Sequence, residues 1–245
     1  MPKSRQLELF AKRKRPRGAP PLGRRVRPER LGFVSHLTRP DHDARHPIHI
    51  TMRRVRLGPS FREERIYRAI LNQLADAKRR GTRVLQHTAQ HDHLHLMVES
   101  GDRKDLAKKL RTLISRIAVA VNRVAGRRGQ LFGDRYHRHD LTTPREVRNA
   151  LRYILFNTRK HAKSYDALDA MSSTPWFSAW SRDCAPDAER LADARAKWWP
   201  VGSPLSAPQT WLAEKGWLRA GGPLAYNEMP RRAEMRLRPL SHTPL

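Results

Sequence analysis

Hydrophobic and polar positions alternate along four segments of the chain, and this period-two pattern predicts four β-strands. The strands are expected at residues 48–55, 82–89, 93–99 and, more briefly, within 130–141. Two intervening segments carry apolar residues at helical spacing and predict amphipathic helices at 62–81 and 102–126, each ending at a glycine. The order strand, helix, strand, strand, helix, strand implies an α+β fold: a ferredoxin-like antiparallel sheet with the helices on one face.

A third helix is predicted after the last strand, as an addition to that layout. Residues 143–146 (Thr-Pro-Arg-Glu) form a capping box with proline in the first turn, which is a strong signal for a helix start. One buried stripe is formed by Val147, Leu151, Ile154 and Leu155. Tyr153 lies away from this stripe, with Asn149 and Asn157 four residues to either side on the same ridge. The position suits either packing of the tyrosine ring or a chemical role.

The third predicted strand carries two histidines on one of its faces. Side chains alternate along a strand, so His93, His95 and Met97 point to one side and the aliphatic residues between them to the other. The aliphatic side indicates the buried face, and the histidines are therefore expected on the opposite, uncovered face of the sheet. Two imidazoles about 7 Å apart along a strand can hold one divalent metal. A phosphate contact or a purely structural pair fits the same pattern.

The charge of the chain predicts its partner. Fifty Lys and Arg residues against 23 Asp and Glu give a formal net charge of +27 and a pI near 11.5. An excess of this size is typical of proteins that bind polyanions, and nucleic acid is the favoured one. A membrane partner is disfavoured, because the chain has neither a run of about 18 apolar residues nor a signal-peptide pattern. Cys184 is the only cysteine, which excludes an intramolecular disulfide and fits a reducing, cytoplasmic location.

Three regions are predicted along the chain. Residues 1–45 are rich in Arg, Pro and Gly and are interpreted as a flexible basic arm. Residues 46–165 contain the predicted sheet and helices, and residues 166–245 form a C-terminal extension that holds all six tryptophans. These tryptophans are expected to anchor the extension to the domain, in preference to stacking on unpaired bases.

The order of these motifs resembles that of the single-tyrosine HUH transposases, in particular the REP-associated tyrosine transposases and related insertion-sequence transposases. The resemblance is carried by His93-Leu94-His95 on a strand and by Tyr153-Ile154 with Asn157 on a later helix, and it covers residues 46–162. Residues 46–54 (HPIHITMRR) resemble the first strand of the family, and residues 135–139 (RYHRH) its basic strand before the tyrosine helix. Departures are His91-Asp92, where many members have Pro-Asn, and Thr158, where most have proline.

The resemblance implies a metal-dependent transposase or endonuclease of single-stranded DNA. Tyr153 would attack a phosphodiester and form a 5′-phosphotyrosine intermediate, while His93, His95 and Asn157 would hold Mg²⁺ or Mn²⁺. Single-stranded or hairpin DNA is the expected partner, and an active site built within one chain or across a homodimer fits equally well. Residues expected to contact the DNA are Arg53, Arg54, Arg135, His137, Arg138 and His139.

Alternatives stay open at this point. The chain could be a non-catalytic single-stranded nucleic-acid-binding protein derived from such a transposase, or a domesticated relative that nicks hairpins. Tyr136 is the rival nucleophile, for which a structural or stacking role is favoured. Glu99 could tune the metal or cap its strand, and His87 and His91 are expected at the surface.

Overall fold

The structure is a computed structural model, and it describes residues 41–162, 168–198 and 200–228, without the side chains at 160–162. Most of the predicted basic arm, Trp199 and the predicted domain boundary near residue 165 lie outside the described residues. The elements in chain order are β1 (Ile48–Arg53), α1 (Glu64–Arg79), β2 (Arg83–Ala89), β3 (His93–Glu99), α2 (Arg103–Val124), β4 (His137–Asp140), α3 (Pro144–Ala162), α4 (Ala188–Ala196) and α5 (Trp211–Glu214). Short 3-10 helices lie at Thr174–Trp176 and Gly216–Ala220.

The four strands form one antiparallel sheet in the order β2-β3-β1-β4. This is the strand order of a ferredoxin-like sheet, so the predicted fold class is confirmed. The aliphatic face of β3, with Leu94, Leu96 and Val98, packs into a core that α1 and α2 cover. Burial of this continuous apolar layer is the main force that holds the two helices to the sheet.

Local capping signals set the helix boundaries. The Asp102 carboxylate accepts hydrogen bonds from the backbone amides of Lys104 and Asp105, which fixes the first turn of α2. The capping box of α3 forms as predicted: the Glu146 carboxylate accepts from the Thr143 amide, and the Thr143 hydroxyl accepts from the Glu146 amide.

Two strands are shorter than their patterns predict. β1 ends at Arg53, because the amide of Val55 bonds to the Leu131 carbonyl and the chain then turns at residues 55–58. β4 is confined to His137–Asp140, although Phe132 still forms an isolated bridge with Arg54.

The second face of the sheet is covered, which corrects the expectation that the histidine face would be open. A second core joins Leu85 and Met97 of the sheet to the apolar stripe of α3 and to aromatic residues of the extension. The stripe of α3 has to be buried, and this sheet face offers the apolar surface that buries it. The tyrosine helix therefore lies against the strand that carries the histidines.

Tryptophans of the extension anchor it to the rest of the molecule, as expected. Trp198 is fully buried and its ring meets Tyr67 of α1 edge to face, with the ring centres 4.6 Å apart. Trp217 is buried in the second core. Trp211 differs from the other described tryptophans, because 42% of it is exposed.

A buried ion pair adds a second anchor. The Arg62 guanidinium donates to the Asp169 carboxylate in the extension, to the Ala89 carbonyl at the end of β2 and to the Thr158 hydroxyl on α3.

Among the described residues, no helix has both the length and the apolarity needed to cross a bilayer.

Candidate active site

Tyr153 of α3 and His95 of β3 meet on the second face of the sheet. The Tyr153 hydroxyl lies 3.3 Å from Nε2 of His95, and the two rings stand almost perpendicular at 83° with centres 4.9 Å apart. They come from segments 58 positions apart in the chain. The docking of α3 on this face creates the contact, since the apolar stripe holds the helix down and leaves the tyrosine ridge facing β3.

His93 lies beside His95 and is held by the preceding residue. The ring centres of the two histidines are 4.7 Å apart, and Nδ1 of His93 lies 2.6 Å from the Asp92 carboxylate. Asp92 also pairs with Arg53 at 3.2 Å. Although burial raises the pKa of Asp92, the hydrogen bond with His93 and the charges of His93 and Arg53 outweigh it, so the net pKa is lowered. A carboxylate placed in this way fixes the orientation of an imidazole.

Sequence reasoning missed two residues of β1 that contact His95. Nε2 of His49 lies 3.2 Å from Nδ1 of His95, and the Thr51 hydroxyl lies 3.0 Å from the same nitrogen. The alternation of β1 places His49, Thr51 and Arg53 on one face, so the sequence did contain a signal for them. Alternation does not specify the register between β1 and β3, in which Thr51 pairs with His95 and His49 with Met97.

Burial sets the protonation states in this site. It lowers the pKa of His95 well below its usual value, with the neighbouring charges of His49 and His93 acting in the same direction. It also raises the pKa of Tyr153 above 10, while the Asn157 side chain and the Arg53 charge act against that rise. At neutral pH the imidazole of His95 is therefore uncharged and the phenol of Tyr153 keeps its proton.

Asn157 lies one helical turn beyond the half-buried Tyr153 and is itself buried. Its side chain is close enough to lower the pKa of Tyr153, yet its Nδ2 has no hydrogen-bond partner of ordinary geometry among the described residues. A buried amide atom without a partner costs free energy, on the order of 1–3 kcal/mol. Because the oxygen and nitrogen of an amide can exchange places by a flip, either atom can occupy the unpartnered position.

The predicted DNA-contact residues divide between two sides of the sheet. Arg53, His137 and His139 share the face of the site: Arg53 pairs with His93 in register, and β4 sets His137 opposite Thr51 and His139 opposite His49. The side chain of Arg53 is 70% exposed. Arg135 is also exposed and lies just before β4. Arg53, His137 and His139 therefore lie on the sheet face that carries the Tyr153 site.

The structure does not bring Arg54 and Arg138 to that border. Arg138 points to the other side of β4, where its guanidinium is 6% exposed and donates to the Asp140 carboxylate at 2.6 Å. The Arg54 guanidinium donates to the carbonyls of Val55 and Arg56 at 2.8 and 2.7 Å and so holds the turn after β1. Arg138 therefore pairs with an acidic neighbour, and Arg54 holds the local backbone.

Three further expectations meet different outcomes. Tyr136 packs against the core on the α1 and α2 side, which agrees with the favoured structural role. The surface position predicted for His87 is wrong: the residue is fully buried, and its Nε2 lies 2.8 Å from the Tyr67 hydroxyl. Glu99 lies at the far end of β3, where it accepts hydrogen bonds from Arg83 and from the Thr210 amide that begins α5.

The predicted metal ligands can be compared with the side chains that lie together in the structure. Within 41–162, 168–198 and 200–228, no three His, Cys, Asp or Glu side chains converge in an arrangement that could hold a metal ion. The predicted set differs in kind, because it combines His93 and His95 with the amide of Asn157. Its donors suit a metal: His95 is held in the neutral form that metals bind, and His93 has a carboxylate behind it. A flipped Asn157 amide would present its oxygen at the position where Nδ2 has no partner.

Among known proteins, the chain has a distant structural likeness to a solved structure. No protein-family model matches the chain, and no curated protein matches it either. Among solved structures, the chain is similar to one described as a REP-associated tyrosine transposase bound to a REP hairpin, with 16% sequence identity and a TM-score of 0.46. The match covers 57% of this chain and 82% of that one. A likeness at this level carries no argument about function, which has to come from the site itself.

Proposed function

We propose that the protein is a metal-dependent transposase or endonuclease that cuts and rejoins single-stranded DNA through a 5′-phosphotyrosine intermediate. One observation carries the proposal: the Tyr153 hydroxyl lies 3.3 Å from His95, with His93 and Asn157 beside them. A tyrosine, two imidazoles and a buried amide form a set that suits nucleophilic attack on a phosphate. Packing alone does not require four polar groups at this place.

In the proposed reaction Tyr153 attacks the phosphorus of a phosphodiester. The phenol oxygen forms a new bond to phosphorus and the bond to the 3′ oxygen breaks. The phenol loses its proton and the departing 3′ oxygen gains one, so the exchange needs no further reactant. A second strand's 3′-hydroxyl reverses the step and joins the strands. The adduct conserves the energy of the phosphodiester, so no nucleotide cofactor is needed.

The raised pKa of Tyr153 means that the phenol needs help to react at neutral pH. His93, His95 and Asn157 are the residues that would hold Mg²⁺ or Mn²⁺, and Asp92 would orient His93. When bound, such an ion would polarise a phosphoryl oxygen and offset the charge that develops on it. Arg53 would add a positive charge close to both Tyr153 and His95.

Single-stranded or hairpin DNA is the proposed substrate. The net charge of +27 supports a polyanionic partner. Arg53, His137 and His139 share the sheet face of the site and would contact the phosphates that flank the cleaved bond, and the exposed Arg135 just before β4 is proposed to contact the same strand. Assembly as a homodimer and a cytoplasmic location stay predictions.

A second candidate is a non-catalytic protein that binds single-stranded nucleic acid. The contacts of His95 favour it, because both ring nitrogens already lie within 3.3 Å of protein groups: Thr51 and His49 at Nδ1, and Tyr153 at Nε2. A metal would have to displace the Tyr153 contact at Nε2. The two candidates differ in whether a covalent adduct can form.

The decisive experiment combines the protein with labelled hairpin and single-stranded oligonucleotides and Mn²⁺, followed by a denaturing gel. An active enzyme transfers the label to the protein, and EDTA abolishes the transfer. Tyr153→Phe should reduce adduct by a factor of at least about 10³, while DNA affinity measured by fluorescence anisotropy stays close to wild type. Tyr136→Phe is the matched control and should retain the adduct. Binding without adduct over a broad oligonucleotide pool would favour the second candidate.

A further inference from the structure

The two histidines of the strand motif are held by different partners. His93 has the Asp92 carboxylate at its Nδ1, whereas Nδ1 of His95 faces Nε2 of His49 at 3.2 Å and the Thr51 hydroxyl at 3.0 Å. His49 and His95 are 6% and 4% exposed, and their ring centres are 5.2 Å apart. Water therefore has little access to replace either contact.

The contact between His49 and His95 constrains the position of a proton. A neutral imidazole has one N–H donor and one lone pair, so two facing ring nitrogens can bond only when one carries the hydrogen. If Nδ1 of His95 carries it, His49 accepts, and the lone pair of His95 lies on Nε2, which faces Tyr153. If Nε2 of His49 carries it, Nε2 of His95 is protonated in the neutral ring and has no lone pair to offer.

His49 also limits the rotation of both partners in the site. Its ring meets the Tyr153 ring edge to face, with centres 5.9 Å apart. It comes from β1, and its backbone is held in register against β3 on one side and β4 on the other. A side chain mounted on the central part of the sheet is a firmer support than one on a loop.

We propose that His49 is a positioning residue, whose Nε2 accepts the Nδ1–H of His95 and so directs the lone pair of His95 Nε2 toward Tyr153 and toward a divalent metal. The part that concerns the metal rests on the proposed function, whereas the position of the proton does not. His49 would thus act on His95 as Asp92 acts on His93. Loss of such a partner behind a metal ligand typically weakens metal binding by about 10- to 100-fold.

The first measurement follows the proton directly, in the metal-free protein. Long-range ¹H–¹⁵N correlation NMR distinguishes a protonated ring nitrogen from an unprotonated one. The wild type should show His95 protonated at Nδ1, and His49→Phe, which keeps a ring but removes the acceptor, should show a mixture of tautomers. His95 protonated at Nε2 in the wild type would overturn the proposal.

The second measurement is Mn²⁺ binding, read from the EPR signal of the free ion. His49→Phe should weaken binding by about 10- to 100-fold, and His49→Gln, which supplies an acceptor, should bind nearly as the wild type does. His87→Phe is the matched control: it removes an equally buried histidine from the other face of the sheet and should leave Mn²⁺ binding and the His95 tautomer unchanged. Wild-type affinity and tautomer in His49→Phe would refute the role of His49. A wild-type protein with the Nδ1 tautomer that neither binds Mn²⁺ nor forms an adduct would instead refute the proposed function.

Discussion

Replacement of Trp198 by alanine tests whether the C-terminal extension is part of the structural core. The Trp198 side chain is fully buried, its ring meets Tyr67 of α1, and its Nε1 donates to the Ala170 carbonyl at 2.7 Å. Truncation of a buried tryptophan costs about 3–5 kcal/mol, and the Ala170 carbonyl loses a hydrogen bond worth about 1 kcal/mol. The expected loss of about 4–6 kcal/mol is a large part of the 5–15 kcal/mol that typically separates folded from unfolded states.

Urea unfolding followed by circular dichroism measures this loss without relying on tryptophan emission. For a chain of this size the loss corresponds to a fall in Tm of about 8–24 °C. Trp211→Ala is the matched control: the residue is 42% exposed, so the same substitution should cost about 1–2 kcal/mol. If Trp198→Ala were no more destabilising than Trp211→Ala, the docking of the extension on α1 would be wrong.

Two further predictions concern stability. Asp169→Ala removes the buried partner of Arg62 and should lower the free energy of unfolding in urea by about 3–5 kcal/mol. Asp43→Ala, at the exposed pair with Arg45, should change that free energy little. Equal effects of the two substitutions would contradict the anchoring role of Asp169. Burial lowers the pKa of His87 to about 3. Between pH 6.5 and 3 the unfolded chain therefore binds a proton that the folded chain does not. The free energy of unfolding should decrease as the pH is lowered through this range, by up to about 1.4 kcal/mol per pH unit. His87→Gln should reduce that slope between pH 6.5 and 4.5, and an unchanged slope would show that His87 is not buried in its neutral form.

The sequence determined the elements and the side of each strand on which its residues lie. The alternation in HLHLMVE sets Leu94 and Leu96 on the core face and His93 and His95 on the other, and the structure has β3 at His93–Glu99, as predicted. The capping box sets the start of α3 in the same way. Such features depend on neighbours within a few positions along the chain, and local sequence patterns therefore contain them.

The tertiary structure decided which groups face one another. Alternation places His49 on a face of β1, but only the pairing of β1 with β3 brings it to Nδ1 of His95. The same limit explains His87: its strand pattern gives a face, and only the packing of Tyr67 and the extension shows that this face is buried. Strand register and helix docking are set by contacts between residues far apart in sequence. The neighbourhood of Tyr153 therefore follows from the burial of the apolar stripe of α3 against the sheet and the extension, which no local pattern specifies.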